Sequence, residues 1–179
     1  MWLSLMNNER LGRFMKDIIH IRIDDRLLHG QVVNFWGTSL KVSRIMVAND
    51  EVANDEMQKS ILRMVAPSGV RTSIISKEKA ANNILDNRYN GQRVMMIVKS
   101  PKDILDLMDL GLDIKEVNVG NMANRPGTIQ IKKSISLTQE EFDQFAELEK
   151  RGVVMTAIMV PDEKRTYLKE YIEKAKNKK

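Results

Sequence analysis

Five residues that can do chemistry stand together in the run IRIDDRLLHGQVV at positions 21–33: Arg22, Asp24, Asp25, Arg26 and His29. A neutral imidazole is a competent nucleophile near pH 7, and only one of its ring nitrogens is free to attack at a time. Asp24 or Asp25 can accept the other N–H and so select the exposed nitrogen; the spacing admits either. Arg22 and Arg26 are permanent cations whose planar forks match the oxygens of a phosphoryl group. Gly30 and Gln31 follow at once, where an amphipathic segment begins. There, free backbone N–H groups and the positive end of a helix dipole would meet an anion, and Gly30 would let it come close. A phosphoryl group carries roughly −1.5 to −2 charges, which two guanidiniums and a helix start nearly balance. The chemistry these parts suit is phosphoryl transfer through a phosphohistidine at His29. Arg22 and Arg26 would neutralise the group in flight, and Asp24 or, equally, Asp25 would orient the ring.

That chemistry needs elements to hold it. Apolar, β-rich runs occur at 17–23, 44–49, 70–76, 92–99, 114–120, 128–131 and 153–159. Between most of them lie segments of helical period, such as Val52, Met57, Ile61 and Met64; Ile104, Leu105 and Met108; and Phe142, Phe145, Ala146 and Leu148. Ser100 with Pro101, and the Thr138 to Glu141 capping box, mark helix starts, and Gly111 and Gly152 mark stops. The alternation predicts an α/β fold: an open, mostly parallel, twisted sheet with helices on both faces. Residues 124–137 break the rhythm and read as a short antiparallel edge around a Pro-Gly turn. One domain is expected over 15–179, with 1–14 an upstream extension or cloning remnant.

In such sheets ligands sit beyond the carboxyl ends of the strands. His29 falls at the first of these turns. Lys99, Ser100 and Gly120 end other strands and are candidates to line the same crevice with a cation, a hydroxyl and close backbone approach. Each also has a plainer reading: a solvated lysine, a helix cap, a turn glycine. His20, inside the first strand, reads as structural on a sheet face. Phe35 and Trp36 read as the core side of the first helix, although a partly exposed Trp36 would suit a partner-binding rim.

Composition narrows the classes. With no cysteine in 179 residues, disulfide scaffolds, thiolate zinc sites and cysteine nucleophiles are excluded. Two histidines nine residues apart make no metal cluster. No apolar run approaches the roughly 18 residues of a membrane helix. The net charge is +5, but residues 163–179 hold seven Lys or Arg against three Glu and residues 1–16 hold three against one, which leaves the body at minus one. The basic excess belongs to the ends, a weak basis for a polyanion partner.

The first motif closely resembles the opening of IIB subunits of the mannose/fructose/sorbose family of the bacterial sugar phosphotransferase system. The resemblance continues through VANDEVANDEMQKSILRMVAP (47–67), VNVGNM (117–122) and VPDEKRTYL (160–168). It implies a cytoplasmic phosphotransferase that works at the inner face of the membrane through its partner subunits. It also implies phosphorylation on His29 by a phosphohistidine of a IIA protein or domain, itself charged by HPr. Delivery would be to a sugar presented by the membrane subunits IIC and IID, with Arg22, Arg26 and Asp24 around the phosphohistidine. No metal, organic cofactor or nucleic acid is implied, and self-association stays open. Fourteen residues before Met15 leave no room for a fused IIA domain, so IIA is expected as a separate protein.

Three rivals compete. A receiver domain phosphorylated on aspartate needs its acceptor at the end of the third strand, where RTSIIS has none. A basic interaction or nucleic-acid-binding module would use the last helix, but Leu168, Tyr171, Ile172 and Ala175 give that helix a face for packing on the sheet. Dinucleotide binding lacks its Gly-x-Gly-x-x-Gly turn.

Overall fold

The computed structural model describes residues 15–177, apart from the side chains of Gln31 and Val32. The proposed extension over 1–14 lies outside the described residues.

Six strands form one parallel sheet: β1 (Ile18–Asp24), β2 (Arg44–Ala48), β3 (Arg71–Ile75), β4 (Val94–Val98), β5 (Glu116–Asn121) and β8 (Val154–Thr156). Their spatial order is β3-β2-β4-β1-β5-β8, every ladder parallel, so β1 is an inner strand between β4 and β5. β6 (Ile129–Lys132) and β7 (Ile135–Leu137) pair antiparallel. They are the antiparallel piece expected over 124–137, set apart as their own two-stranded sheet.

The helices are α1 (Gly30–Ser39), α2 (Asp50–Ala53), α3 (Glu56–Val65), α4 (Lys77–Leu85), α5 (Pro101–Asp109), α6 (Gln139–Lys150) and α7 (Leu168–Lys176). Burial on both sides explains the continuous apolar run VMMIV of β4, whose five residues are all buried. On one face, Ile21, Ile23, Met96, Val117 and Val119 meet Ala80, Ile84, Ile104, Leu107, Phe145 and Leu148 from α4, α5 and α6. On the other, Ile45, Val47, Ile74, Met95 and Ile97 meet Val33, Trp36, Val52 and Leu62 from α1, α2 and α3. Thus α1 leaves β1 for one face while α5 leaves the adjacent β4 for the other. Such a switch opens a crevice at the strands' carboxyl ends.

The helix signals are realised closely. Ser100 and Thr138 each close a capping box, with Asp103 and Glu141 as partners. Gly111 and Gly152, just past their helices, take the positive φ that favours glycine. One packing expectation is corrected, and one apolar stripe faces outward. Met57, Ile61 and Met64 do lie on one helix, but at 76%, 55% and 85% exposure their stripe faces solvent, and Leu62 turns inward instead. Phe35, expected in the core, is 57% exposed, whereas Trp36 is 5% exposed and so is not a rim residue.

Candidate functional site

β1 ends at Asp24, and five residues turn the chain into α1. A backbone hydrogen bond from Leu27 N to Asp24 O (2.9 Å) closes the turn. Leu27 takes a left-handed φ of 59°, a conformation that costs a non-glycine residue about 1 kcal/mol. The turn tolerates this because Leu27 and Leu28 are both buried, pinning it from below. His29 then stands exposed at the N-cap of α1, in extended backbone, with no side-chain bond to the helix it opens. The caps Asn49, Asp55, Ser76, Ser100 and Thr138 all accept a backbone N–H of their own helix. At α1 that service is absent, so its first N–H groups stay available beside the imidazole. A Cβ on Gly30 would make only ordinary contact with Val65 Cγ1, at 3.5 Å. Packing therefore does not demand the glycine. Gln31 follows in the first turn of α1; its side chain is not among those described.

Beneath the turn lies a buried charged group. Asp24, with 1% of its side chain exposed, accepts Arg26 N (3.2 Å) and Nε (2.9 Å) on Oδ1. Its Oδ2 accepts Arg22 Nη2 (3.0 Å) and Arg26 Nη2 (3.0 Å). Arg22 has no exposed surface, and its Nη1 also donates to Asn118 Oδ1 at 2.6 Å. Burial pulls the Arg22 guanidinium below its ordinary pKa, opposed by Asp24; the hydrogen bond to Asp24 pushes Arg26 above its own. Arg26 is the guanidinium at the surface, with 32% of its side chain exposed.

Several sequence expectations are corrected here. Asp24 does not orient His29, because both its oxygens are taken by the two arginines. Asp25 does not either: its oxygens accept Asn121 Nδ2 (2.6 Å) and Ala123 N (2.7 Å), fastening the turn to the loop after β5. Arg22 lies sealed below the surface that a phosphoryl group would reach. Ser100 is committed to its capping box, and Lys99 pairs with Glu51 across 3.2 Å. Gly120 receives the Arg22 guanidinium rather than a ligand: a Cβ there would lie 1.9 Å from Arg22 Cζ. His20 is structural as expected, stacked on Trp36 at 4.3 Å between ring centroids.

Asn118 escaped the sequence reading, although its signal was present. An arginine inside an apolar strand needs an acceptor on a neighbouring strand, and the β1–β5 register sets Arg22 opposite Asn118. The polar residue between Val117 and Val119 is that acceptor.

Among the described residues no helix is long and apolar enough to cross a membrane. Comparison with known proteins gives the lineage. The chain is 38% identical over 149 residues to the fructose-specific EIIB component of the phosphotransferase system (PTS) from Bacillus subtilis, covering 83% of this chain and 91% of that one. It is 39% identical over 132 residues to the sorbose-specific EIIB component from Klebsiella pneumoniae, covering 74% and 80%. The crystal structure of the IIBSor domain of the sorbose permease from Klebsiella pneumoniae superposes with a TM-score of 0.81 at 34% identity, covering 87% of this chain and 98% of that one. The family described as "PTS system sorbose subfamily IIB component" matches residues 18–179, and the chain belongs to that family.

Proposed function

We propose that this chain is a phosphocarrier in sugar uptake. His29 takes a phosphoryl group from the phosphohistidine of a IIA protein or domain and passes it to a sugar hydroxyl presented by the membrane components IIC and IID. The observation that carries the reading is the exposed, uncommitted imidazole of His29 at the start of α1, three residues after a half-buried arginine.

In the accepting step a lone-pair nitrogen of neutral His29 attacks phosphorus in line. The new N–P bond forms as the donor's N–P bond breaks, and the donor imidazole leaves. Arg26 faces the transferring oxygens, and the N–H groups at the start of α1 add partial positive charge. In the second step the sugar oxygen attacks the same phosphorus, and His29 leaves as imidazole. Relatives named for sorbose, fructose, mannose and N-acetylgalactosamine support a hexose or N-acetylhexosamine as acceptor. A cytoplasmic protein held at the membrane by IIC and IID fits these steps.

The test is labelling by phospho-IIA. The wild-type chain acquires an acid-labile, alkali-stable label. His29→Gln acquires none while its far-ultraviolet dichroism and melting stay unchanged, because the side chain is exposed and makes no hydrogen bond among the described residues. A folded His29→Gln chain that still takes phosphate on nitrogen defeats the assignment.

A further inference from the structure

We propose that Arg22 never touches the phosphoryl group but balances the carboxylates beneath it, and that Asn118 and Gly120 are positioning residues acting through Arg22. The inference rests on the phosphocarrier reading and deepens it.

The turn before His29 contains Asp24, Asp25 and Arg26, two negative charges against one positive. Left so, it would repel an incoming dianion. Arg22 supplies the missing cation from below, through the 3.0 Å bond to Asp24 Oδ2. Its fork shares Asp24 with Arg26, so Arg26 can present charge at the surface instead of being cancelled by a lone carboxylate.

Among the described residues the other hydrogen bonds of Arg22 go to neutral groups. Nη1 donates to Asn118 Oδ1 (2.6 Å) and to Ile158 O (3.4 Å). The guanidinium carbon lies 5.8 Å from the Trp36 ring centroid. Asn118 is itself fixed, its Nδ2 donating to Ile158 O (2.9 Å) and Thr156 Oγ1 (3.2 Å). Trp36 Nε1 donates to Met159 O (3.0 Å). Glu163, a further carboxylate whose charge acts on Arg22, is paired with Lys132 at 3.1 Å. The guanidinium thus sits in a socket that satisfies its donors without adding negative charge. Gly120 gives the socket its depth: any Cβ there would stand 1.9 Å from Cζ and 2.0 Å from Nη2.

The experiment measures the rate of phosphorylation by phosphoramidate, a small donor that needs no docking partner. His29 displaces ammonia from phosphorus: one N–P bond forms, one breaks, and ammonia leaves with a proton from the medium. Arg22→Met, which leaves the turn net negative, slows the reaction about a hundredfold. Arg22→Met/Asp24→Asn restores the balance and recovers at least about tenfold of that loss, measured on single and double variants whose dichroism shows both fully folded at the assay temperature, so that recovery of the fold is not what is read. A wild-type rate in Arg22→Met, or a folded double variant no faster than Arg22→Met, overturns the proposal.

If Arg22→Met melts below the assay temperature, Asn118→Asp decides. It is nearly isosteric, adds one carboxylate to the socket, and slows phosphorylation about tenfold or more; a wild-type rate there overturns the proposal equally. Label appearing on a His29→Gln chain would instead defeat the phosphocarrier reading, so the two failures are distinct.

Discussion

At the scale of single residues, two histidines nine positions apart have opposite fates, set by what surrounds them. His29 is exposed and makes no side-chain hydrogen bond among the described residues. His20 is stacked on Trp36, and its Nε2 is buried without a partner among the described residues. Burial, with Arg22 nearby adding repulsion, pushes the His20 pKa from 6.5 down to about 4. The folded state therefore binds this proton less readily than the unfolded chain. The stability His20 supports is complete above pH 6.5 and drains away as pH falls through the window toward 4. The loss is roughly 3 kcal/mol at the acid end, at 1.36 kcal/mol per unit. Urea unfolding at pH 7.5 and pH 4 should show it, and His20→Phe, which keeps the stack and cannot protonate, should flatten that part of the profile. An unchanged acid loss in His20→Phe would mean that other groups carry it.

Among the elements, α3 separates two properties that a helical period leaves merged. Met57, Ile61 and Met64 repeat at helical spacing and correctly signal a helix, yet that stripe is wet. Leu62 and Val65 lie on the neighbouring strip and carry the packing, so two apolar strips share one helix and period alone does not say which faces the sheet. Ile61→Ser should therefore change stability by less than about 0.5 kcal/mol, whereas Leu62→Ala should cost about 2 kcal/mol or more through lost burial and a cavity. Equal effects in thermal melts would show that the stripe is covered.

The same contrast governs how much could be read from the chain. Local signals such as the capping boxes at Ser100 and Thr138, the stop glycines and the doubly buried β4 were legible, because neighbours in sequence create them. The residues at the first turn were legible as a set, but their division of labour was not. That Asp24 turns to the arginines and Gly120 to Arg22 depends on β5 lying beside β1, a fact carried by no short stretch.

For the molecule as a whole, the two outer contacts of the Arg22 socket span almost the entire polypeptide: Asn118 and Ile158 stand 96 and 136 residues beyond Arg22. Parallel strands can meet only after long crossovers, so such contacts close late. A ribosome making this protein releases His29 early and the residues of the Arg22 socket last. An unfinished or clipped chain ending near residue 150 carries His29 but lacks β8 and the carbonyl of Ile158. Such a fragment should take no label from phospho-IIA, and adding the missing tail as a separate peptide should restore some of it. On the proposed function, a positive labelling assay would then also certify that synthesis of the chain had been completed.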